Sequence, residues 1–192
     1  MTPLLSYING YVELTPDEID FLTEHTTYRK YLKGQYVVQQ GDVCRFESFV
    51  LSGCLKKFNI DFDGQEHVVL FATENWWAAD LGSFLTQEVA DCSVQCIENT
   101  EVIQFAYKEM ELLYQKIPKL ERFFRVITQN AFVASEKRIV RNFSLPAKER
   151  YIIFKKMHPQ LVERVPRYLI ASYLGITKEF LSKIRSEVIR EK

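Results

Sequence analysis

The sequence predicts an α+β protein in which an N-terminal domain of short strands is joined by one long helix to a small helical domain at the C-terminus. Three observations support this fold class. Between residues 26 and 107, short runs rich in Val, Ile, Phe and Tyr alternate with turn-forming glycines. From residue 120 to about 142 the apolar spacing lengthens to that of a helix. Two short helical patterns separated by a single glycine then follow near the C-terminus.

The N-terminal half begins with a short helical segment and continues as strands. Thr15 is a good N-cap, Pro16 suits a first helical turn, and acidic residues follow it. Strands of about five or six residues, with turn signals roughly every ten residues, are typical of a β-sandwich, a barrel or a jelly roll. The turn signals include Gly34, Gly41, Gly53, Gly64 and Gly82.

The segment from Val165 to Arg185 predicts a helix-turn-helix. Gly175 can adopt the left-handed conformation that ends a helix, and Thr177 is a good N-cap for the next helix. In that second helix the apolar residues recur at helical spacing, which leaves the polar and basic side chains facing outward, as in a helix that enters the DNA major groove. The predicted DNA-binding residues are Thr177, Lys178, Glu179, Ser182, Lys183 and Ser186. A helical hairpin that merely packs is the alternative.

The distribution of charge favours DNA binding as well. Residues 1–136 hold 11 basic and 20 acidic residues, a net charge of −9. Residues 137–192 hold 14 basic and 5 acidic residues, a net charge of +9. A basic domain attached to an acidic one is typical of a protein in which one part approaches phosphates.

The long helix is predicted to pair with its copy in a second chain. A two-fold helix-turn-helix protein needs two recognition helices about one DNA turn apart, which a dimer supplies. The predicted dimer-helix residues are Phe124, Ile127, Ala131 and Ala134. Packing of this helix on its own β domain is the alternative.

The composition argues against several other classes of protein. Cys44, Cys54, Cys92 and Cys96 form no Cys-x-x-Cys pair, and no His/Cys cluster has zinc-ligand spacing, so we expect neither a metal nor a cofactor. An iron–sulfur or redox-sensing role is the alternative, and it would require several of these thiols to converge in space. No apolar run approaches the ~20 residues of a membrane span, and the N-terminus lacks signal-peptide features. We therefore expect a cytoplasmic protein with no membrane partner.

The order of these elements resembles the Crp/Fnr family of bacterial transcription regulators. The segment from Gly34 to Trp77 resembles the family's cyclic-nucleotide-binding roll, and Ile170–Glu179 is similar to its helix-turn-helix signature. The resemblance implies a double-stranded β-helix, or jelly roll, as sensor domain (1–118), a connecting dimerisation helix (119–143) and a helix-turn-helix domain (144–192). It also implies a homodimeric, sequence-specific regulator that binds double-stranded DNA through a recognition helix at about 177–189, with RNA polymerase as a further candidate partner.

The effector site departs from the family's pattern. In the family a glutamate holds the ribose and an arginine neutralises the cyclic phosphate. Asp80 could replace the glutamate, but no arginine or lysine occurs between Lys57 and Lys108. A buried phosphate without a cation would be costly, so we expect that cAMP and cGMP do not bind in the usual way. A pocket for another small molecule would involve Trp77, Asp80, Leu81, Phe84 and Asp91, although core packing is the alternative for the aromatic residues.

Two other functional classes are alternatives to a DNA-binding regulator. A β-roll enzyme of the cupin kind needs several histidines and a carboxylate on adjacent strands, whereas the roll offers only His67, and a lone histidine on a strand is more often structural. We therefore do not expect an enzyme. A ligand-binding adaptor would use its terminal helices to contact protein, and it would be favoured if Lys178 and Lys183 were buried or paired with acids.

Overall fold

The computed structural model describes residues 1–190 and confirms the predicted α+β class, with two four-stranded sheets and helices at both ends of the chain. The strands are β1 (Thr26–Tyr31), β2 (Tyr36–Val38), β3 (Phe46–Ser52), β4 (Leu55–Ile60), β5 (Glu66–Ala72), β6 (Trp77–Ala78), β7 (Ser93–Cys96) and β8 (Thr100–Ala106). The helices are α1 (Thr2–Asn9), α2 (Pro16–Glu24), α3 (Leu81–Thr86), α4 (Tyr107–Lys116), α5 (Lys119–Ser144), α6 (Ala147–Met157), α7 (Pro159–Arg164), α8 (Arg167–Tyr173) and α9 (Lys178–Arg190).

The strands form a jelly roll. One sheet has the order β1-β8-β3-β6 and the other the order β2-β7-β4-β5, so that most neighbours in a sheet are far apart in the chain. β3 pairs antiparallel with β8, which places Phe49 opposite Ile103. At the β3–β4 turn Gly53 has φ +97°, and a Cβ there would lie 2.5 Å from the carbonyl oxygen of Asn99, so the close approach of these two turns requires glycine.

The chain divides into two compact units. The first comprises Met1–Ile60 and Val69–Gln129, and the second comprises Asp61–Val68 and the residues from Asn130 onward. The continuous helix α5 supplies residues to both units, because its residues up to Gln129 belong to the first and the rest to the second. The domain boundaries at 118 and 143 stay a prediction, and the last two residues of the predicted 144–192 domain lie outside the described residues.

The first unit has a continuous apolar core. Side chains from both sheets, from α1 and α2 and from the first turns of α5 meet in it, because each of these elements has one apolar face. The predicted N-cap at Thr15 is confirmed as a capping box, in which Thr15 Oγ1 accepts from the Glu18 N–H at 3.3 Å and Glu18 Oε2 accepts from the Thr15 N–H at 2.7 Å.

The second unit is helical and includes a segment of the β4–β5 hairpin. Its core is formed by apolar side chains from α6, α7, α8 and α9, among them Tyr151, Phe154, Leu161 and Leu169. Within this unit Ser172 Oγ accepts from the Val68 N–H at 2.9 Å and donates to the Glu66 carbonyl at 2.7 Å. A single hydroxyl on α8 therefore satisfies one backbone donor and one backbone acceptor of the hairpin segment.

Glu47 on β3 is expected to make the stability of the first unit depend on pH. Burial raises the pKa of the Glu47 carboxyl to about 7, above the value near 4.3 of an unfolded chain. The folded state therefore binds the proton more tightly. The stabilisation that this provides is complete below pH about 4 and is lost as the pH rises through 7.

The measurement is urea unfolding at pH 5 and pH 8, followed by tryptophan fluorescence, since Trp76 and Trp77 both lie in the first unit. From pH 5 to pH 8, we expect the free energy of unfolding to fall by roughly 2–3 kcal/mol more for the wild type than for Glu47→Gln. Substitution of the exposed Glu88 by Gln is the matched control and should follow the wild type. Parallel pH profiles for the wild type and Glu47→Gln would contradict this prediction.

Candidate nucleic-acid interface and effector pocket

The helix-turn-helix has the local geometry that its sequence predicts. Gly175 adopts the left-handed conformation with φ +65°, and its N–H donates to the Ser172 carbonyl at 3.0 Å, which closes the end of α8. Thr177 Oγ1 accepts from the N–H of Phe180 at 3.1 Å and so caps α9. The predicted turn and the predicted N-cap are both confirmed.

The inner face of this motif holds the two helices together. Ile170 on α8 and Leu181 on α9 are fully buried, and Ile184 is buried one turn further along α9. Arg150 on α6 supports the turn, because its Nη1 donates to the Leu174 carbonyl at 2.8 Å, an acceptor left free where α8 ends. The orientation of α9 about its own axis is therefore fixed by packing.

The outer face of α9 is solvent-accessible. All six residues predicted to bind DNA are exposed, namely Thr177, Lys178, Glu179, Ser182, Lys183 and Ser186. Within residues 1–190, neither Lys178 nor Lys183 forms an ion pair with a carboxylate. The condition that would have favoured a protein-binding adaptor, burial or pairing of these two lysines, is not met.

Asp80 occupies a buried polar site in the roll, at the start of α3. Its Oδ1 accepts from the Ser83 N–H at 3.3 Å and thereby caps α3, while its Oδ2 accepts from the Cys92 N–H at 2.8 Å. Lys57 Nζ lies 3.6 Å from Asp80 Oδ1, and the two side chains are only 17% and 8% exposed. The carboxylate of Asp80 is thus already satisfied by groups of its own chain.

Lys57 is the residue of this buried polar site that the sequence analysis did not identify. It lies on β4, distant in sequence from Asp80, and its neighbour Lys56 places Nζ 4.0 Å from the centre of the Phe58 ring. Both lysines are largely covered, since Lys56 is 5% exposed and the side chain of Lys57 is 17% exposed. The alternation of side chains along a strand therefore does not indicate which of the two meets a carboxylate.

The other residues of the predicted effector pocket do not converge on Asp80. Trp77 lies in the aromatic core, with its ring 5.3 Å from that of Phe124. Phe84 is buried, with its ring 5.7 Å from that of Tyr107. Leu81 packs at the edge of the core, and Asp91 is exposed. Core packing therefore accounts for the aromatic residues, and the pocket stays a prediction.

The predicted dimer-helix residues on α5 stay a prediction, and in the single chain they fall into two groups. Phe124 and Ile127 belong to the core of the first unit, so their side chains are not available to a second chain. Ala131 and Ala134 are exposed. Sequence periodicity missed a larger apolar row on this helix, which consists of the exposed residues Phe132, Val133, Ile139, Val140 and Phe143 and which we call the α5 seam.

His67 has a structural partner, since its Nε2 lies 2.6 Å from Asp61 Oδ2. Among residues 1–190, no group of three or more His, Cys, Asp and Glu side chains is arranged to hold a metal ion. No helix among the same residues is long and apolar enough to cross a membrane.

Comparison with known proteins supports the resemblance found in the sequence. Residues 28–116 match the family model of the cyclic nucleotide-binding domain. The fumarate and nitrate reduction regulatory protein of Vibrio cholerae is 25% identical, over 93% of this chain and 78% of that protein. The transcriptional activator protein anr of Pseudomonas aeruginosa is 25% identical, over 90% of this chain and 75% of that protein.

Solved structures share the fold over nearly the whole chain. The global regulator CLP of Xanthomonas campestris superposes with a TM-score of 0.74 at 17% identity, covering 92% of this chain and 93% of that chain. The catabolite activator protein of Thermus thermophilus gives a TM-score of 0.56 at 18% identity, covering 93% and 85% of the two chains.

The two curated relatives are named as a regulatory protein and as a transcriptional activator. The resemblance of the sequence to Crp/Fnr regulators is therefore supported over nearly the whole chain.

Proposed function

We propose that this protein is a sequence-specific DNA-binding regulator of transcription that acts as a homodimer and inserts α9 into the major groove. The observation that carries the proposal is the asymmetry of α9. Its inner residues Leu181 and Ile184 are buried, whereas Lys178 and Lys183 project from an exposed outer face. A cytoplasmic location belongs to the same proposal, and RNA polymerase is the expected second partner of the DNA-bound dimer.

The residues at the start of α9 have chemically distinct roles in this proposal. Lys178 can donate to O6 and N7 of guanine, and Glu179 can accept from N4 of cytosine. The oxygen of Thr177 already accepts from the Phe180 N–H, so its hydroxyl hydrogen is left to donate to a phosphate. Lysine lacks the planar bidentate fork of arginine. Lys178 and Lys183 are therefore expected to be less specific for guanine than arginines would be.

The outer residues further along α9 contribute less directly to DNA recognition. Ser186 Oγ donates to the Ser182 carbonyl at 3.1 Å, so this hydroxyl keeps only its lone pairs for a new partner. Lys183 lies one turn beyond Glu179 and is placed to contact either a base edge or a phosphate. Phosphate contacts should make the affinity decrease as the salt concentration rises.

The occupant we propose for the α5 seam is the seam of a second copy of this chain. Phe132 and Ile139 are seven residues apart and Phe143 follows four residues later, the spacing of residues in a coiled-coil interface. These three side chains are 64%, 51% and 88% exposed in the single chain. Burial of such large apolar side chains by a two-fold partner is favourable, and it would present two recognition helices to one DNA site.

Cyclic nucleotides are expected not to bind the roll in the family's usual way. The buried Lys57 is already engaged by Asp80, so it offers no free positive charge to a cyclic phosphate. Isothermal titration calorimetry of the full chain with cAMP and with cGMP should give no binding in the micromolar range. A micromolar dissociation constant for either ligand would overturn this expectation.

The experiment that tests the proposed function is selection of fragmented genomic DNA by the purified protein at near-physiological salt, without added ligand. The variant is Lys178→Glu/Lys183→Glu. The matched control is Lys108→Glu/Lys116→Glu, which makes the same change in charge at exposed positions of α4 in the first unit. We expect the wild type and the control to enrich a two-fold-symmetric site. The α9 variant should lose at least about a hundredfold in affinity for that site.

The alternatives predict different results. Equal enrichment by the wild type and the α9 variant would show that DNA is read elsewhere on the protein. If none of the three proteins enriches a site, the protein is either a protein-binding adaptor or a regulator that requires an effector. A small-molecule thermal-shift screen would then distinguish these two explanations.

A further inference from the structure

Phe180 is an exposed aromatic residue in the first turn of the proposed recognition helix. Its side chain is 46% exposed, whereas the adjacent Leu181 is fully buried. The interior of the unit is already closed at this point by Leu181 and Ile184. Within the described residues Phe180 takes part in none of the ring–ring contacts, although the neighbouring pair Phe154 and Tyr173 does, with ring centres 5.3 Å apart. Nearly half of the surface of Phe180 is therefore open to solvent.

The position of Phe180 on α9 is well defined. Its N–H donates to Thr177 Oγ1 at 3.1 Å, which ties it to the cap of the helix. It precedes Lys183 by three residues, so these two side chains are neighbours on the helix surface, whereas Glu179 lies about 100° round the helix from Phe180. The N-terminal residues of a recognition helix are the ones that contact base edges. Phe180 thus lies in the base-contacting part of α9, beside Lys183.

We infer that Phe180 recognises a thymine by packing its ring against the 5-methyl group in the major groove. This inference rests on the proposed function and names one base that the site should contain. The methyl group of thymine is the apolar feature of the major groove, and phenylalanine is among the side chains that contact it. Lys178, Glu179 and Lys183 provide polar readout only, so the apolar ring of Phe180 extends recognition to an A·T pair of the site.

The test uses the full chain and the site obtained by DNA selection. Each thymine of one half-site, and its symmetric mate, is replaced by deoxyuridine, which removes only the methyl group. Affinities of the wild type and of Phe180→Ala are compared by fluorescence anisotropy. Phe62→Ala removes another exposed phenyl ring of the second unit, 98% exposed, and is the matched control.

We expect one symmetric pair of thymines at which loss of the methyl group weakens binding by the wild type and by Phe62→Ala about three- to tenfold. Phe180→Ala should bind the thymine and deoxyuridine forms of that site equally well. Identical responses of the wild type and Phe180→Ala at every thymine, with both proteins binding the site, would overturn the inference and leave the proposed function intact. If the wild type selects no site either without ligand or with any small molecule found in the thermal-shift screen, the proposed function fails and the inference fails with it.

Discussion

Replacement of Phe132 and Phe143 by glutamate is expected to convert the dimer into a monomer and to lower affinity for the two-fold DNA site by about a thousandfold or more. Both side chains are more than half exposed in the single chain, so the substitutions remove little that stabilises the fold of the unit. In the proposed dimer, however, they would place like charges directly against each other in an apolar interface. Burial of unpaired carboxylates there is unfavourable, and the seam can no longer close.

The loss of DNA affinity follows from the loss of symmetry. A monomer can place only one α9 in the groove, and it therefore gives up the second half-site. Analytical ultracentrifugation measures the state of association, and fluorescence anisotropy with the selected site measures the affinity.

The control variant is Ala131→Glu/Ala134→Glu. These positions are exposed on the same helix but lie about 100° and 160° round it from Phe132. We expect this variant to remain dimeric and to bind DNA like the wild type. The opposite result would be a monomeric Ala131→Glu/Ala134→Glu variant and a dimeric Phe132→Glu/Phe143→Glu variant. It would show that the interface lies where the sequence periodicity first placed it.

Substitution of Asp80 by alanine is expected to destabilise the first unit by about 3–5 kcal/mol. The change leaves the largely buried Lys57 without its counter-charge and removes the N-cap of α3. It also leaves the Cys92 N–H without its acceptor. Loss of the charge partner is the largest of these effects, because an unpaired ammonium group in low-dielectric surroundings is costly. Urea unfolding followed by tryptophan fluorescence measures the change in the free energy of unfolding.

A double variant tests this account of Asp80. Lys57→Met/Asp80→Asn removes both charges and retains an amide oxygen that can cap α3. We expect it to recover most of the stability that Asp80→Ala loses, since no buried charge is left unpaired. A free energy of unfolding for Asp80→Ala within about 1 kcal/mol of the wild type would contradict the structural role of the pair. Asp80 would then be available for a ligand.

Local sequence chemistry accounts for the parts of the fold that were predicted correctly. Gly175 and Thr177 determine the helix-turn-helix, because a left-handed residue followed by an N-cap ends one helix and begins the next without help from distant residues. The apolar runs that became β3, β4, β7 and β8 likewise have the composition of half-buried strands.

Elements without such local patterns were missed. β1 (Thr26–Tyr31) is largely exposed and has no alternation of apolar and polar residues, yet it pairs with β8 along its whole length, with Thr26 opposite Phe105. β6 has two residues, and it is a strand because it pairs with β3. Pairing with a distant strand creates these elements, so a local window of sequence contains too little information to predict them.

By itself, the sequence determined the fold class, the family resemblance and the outer face of α9, since each depends on turn chemistry and on residues close together in the chain. Only the tertiary structure decided which side of α5 is covered: apolar residues occur around much of this helix, and packing of the roll buries Phe124 but leaves Phe132 exposed. Only the tertiary structure paired Lys57 with Asp80, because the distance between two side chains on β4 and α3 depends on how the sheets fold together and not on their separation in sequence.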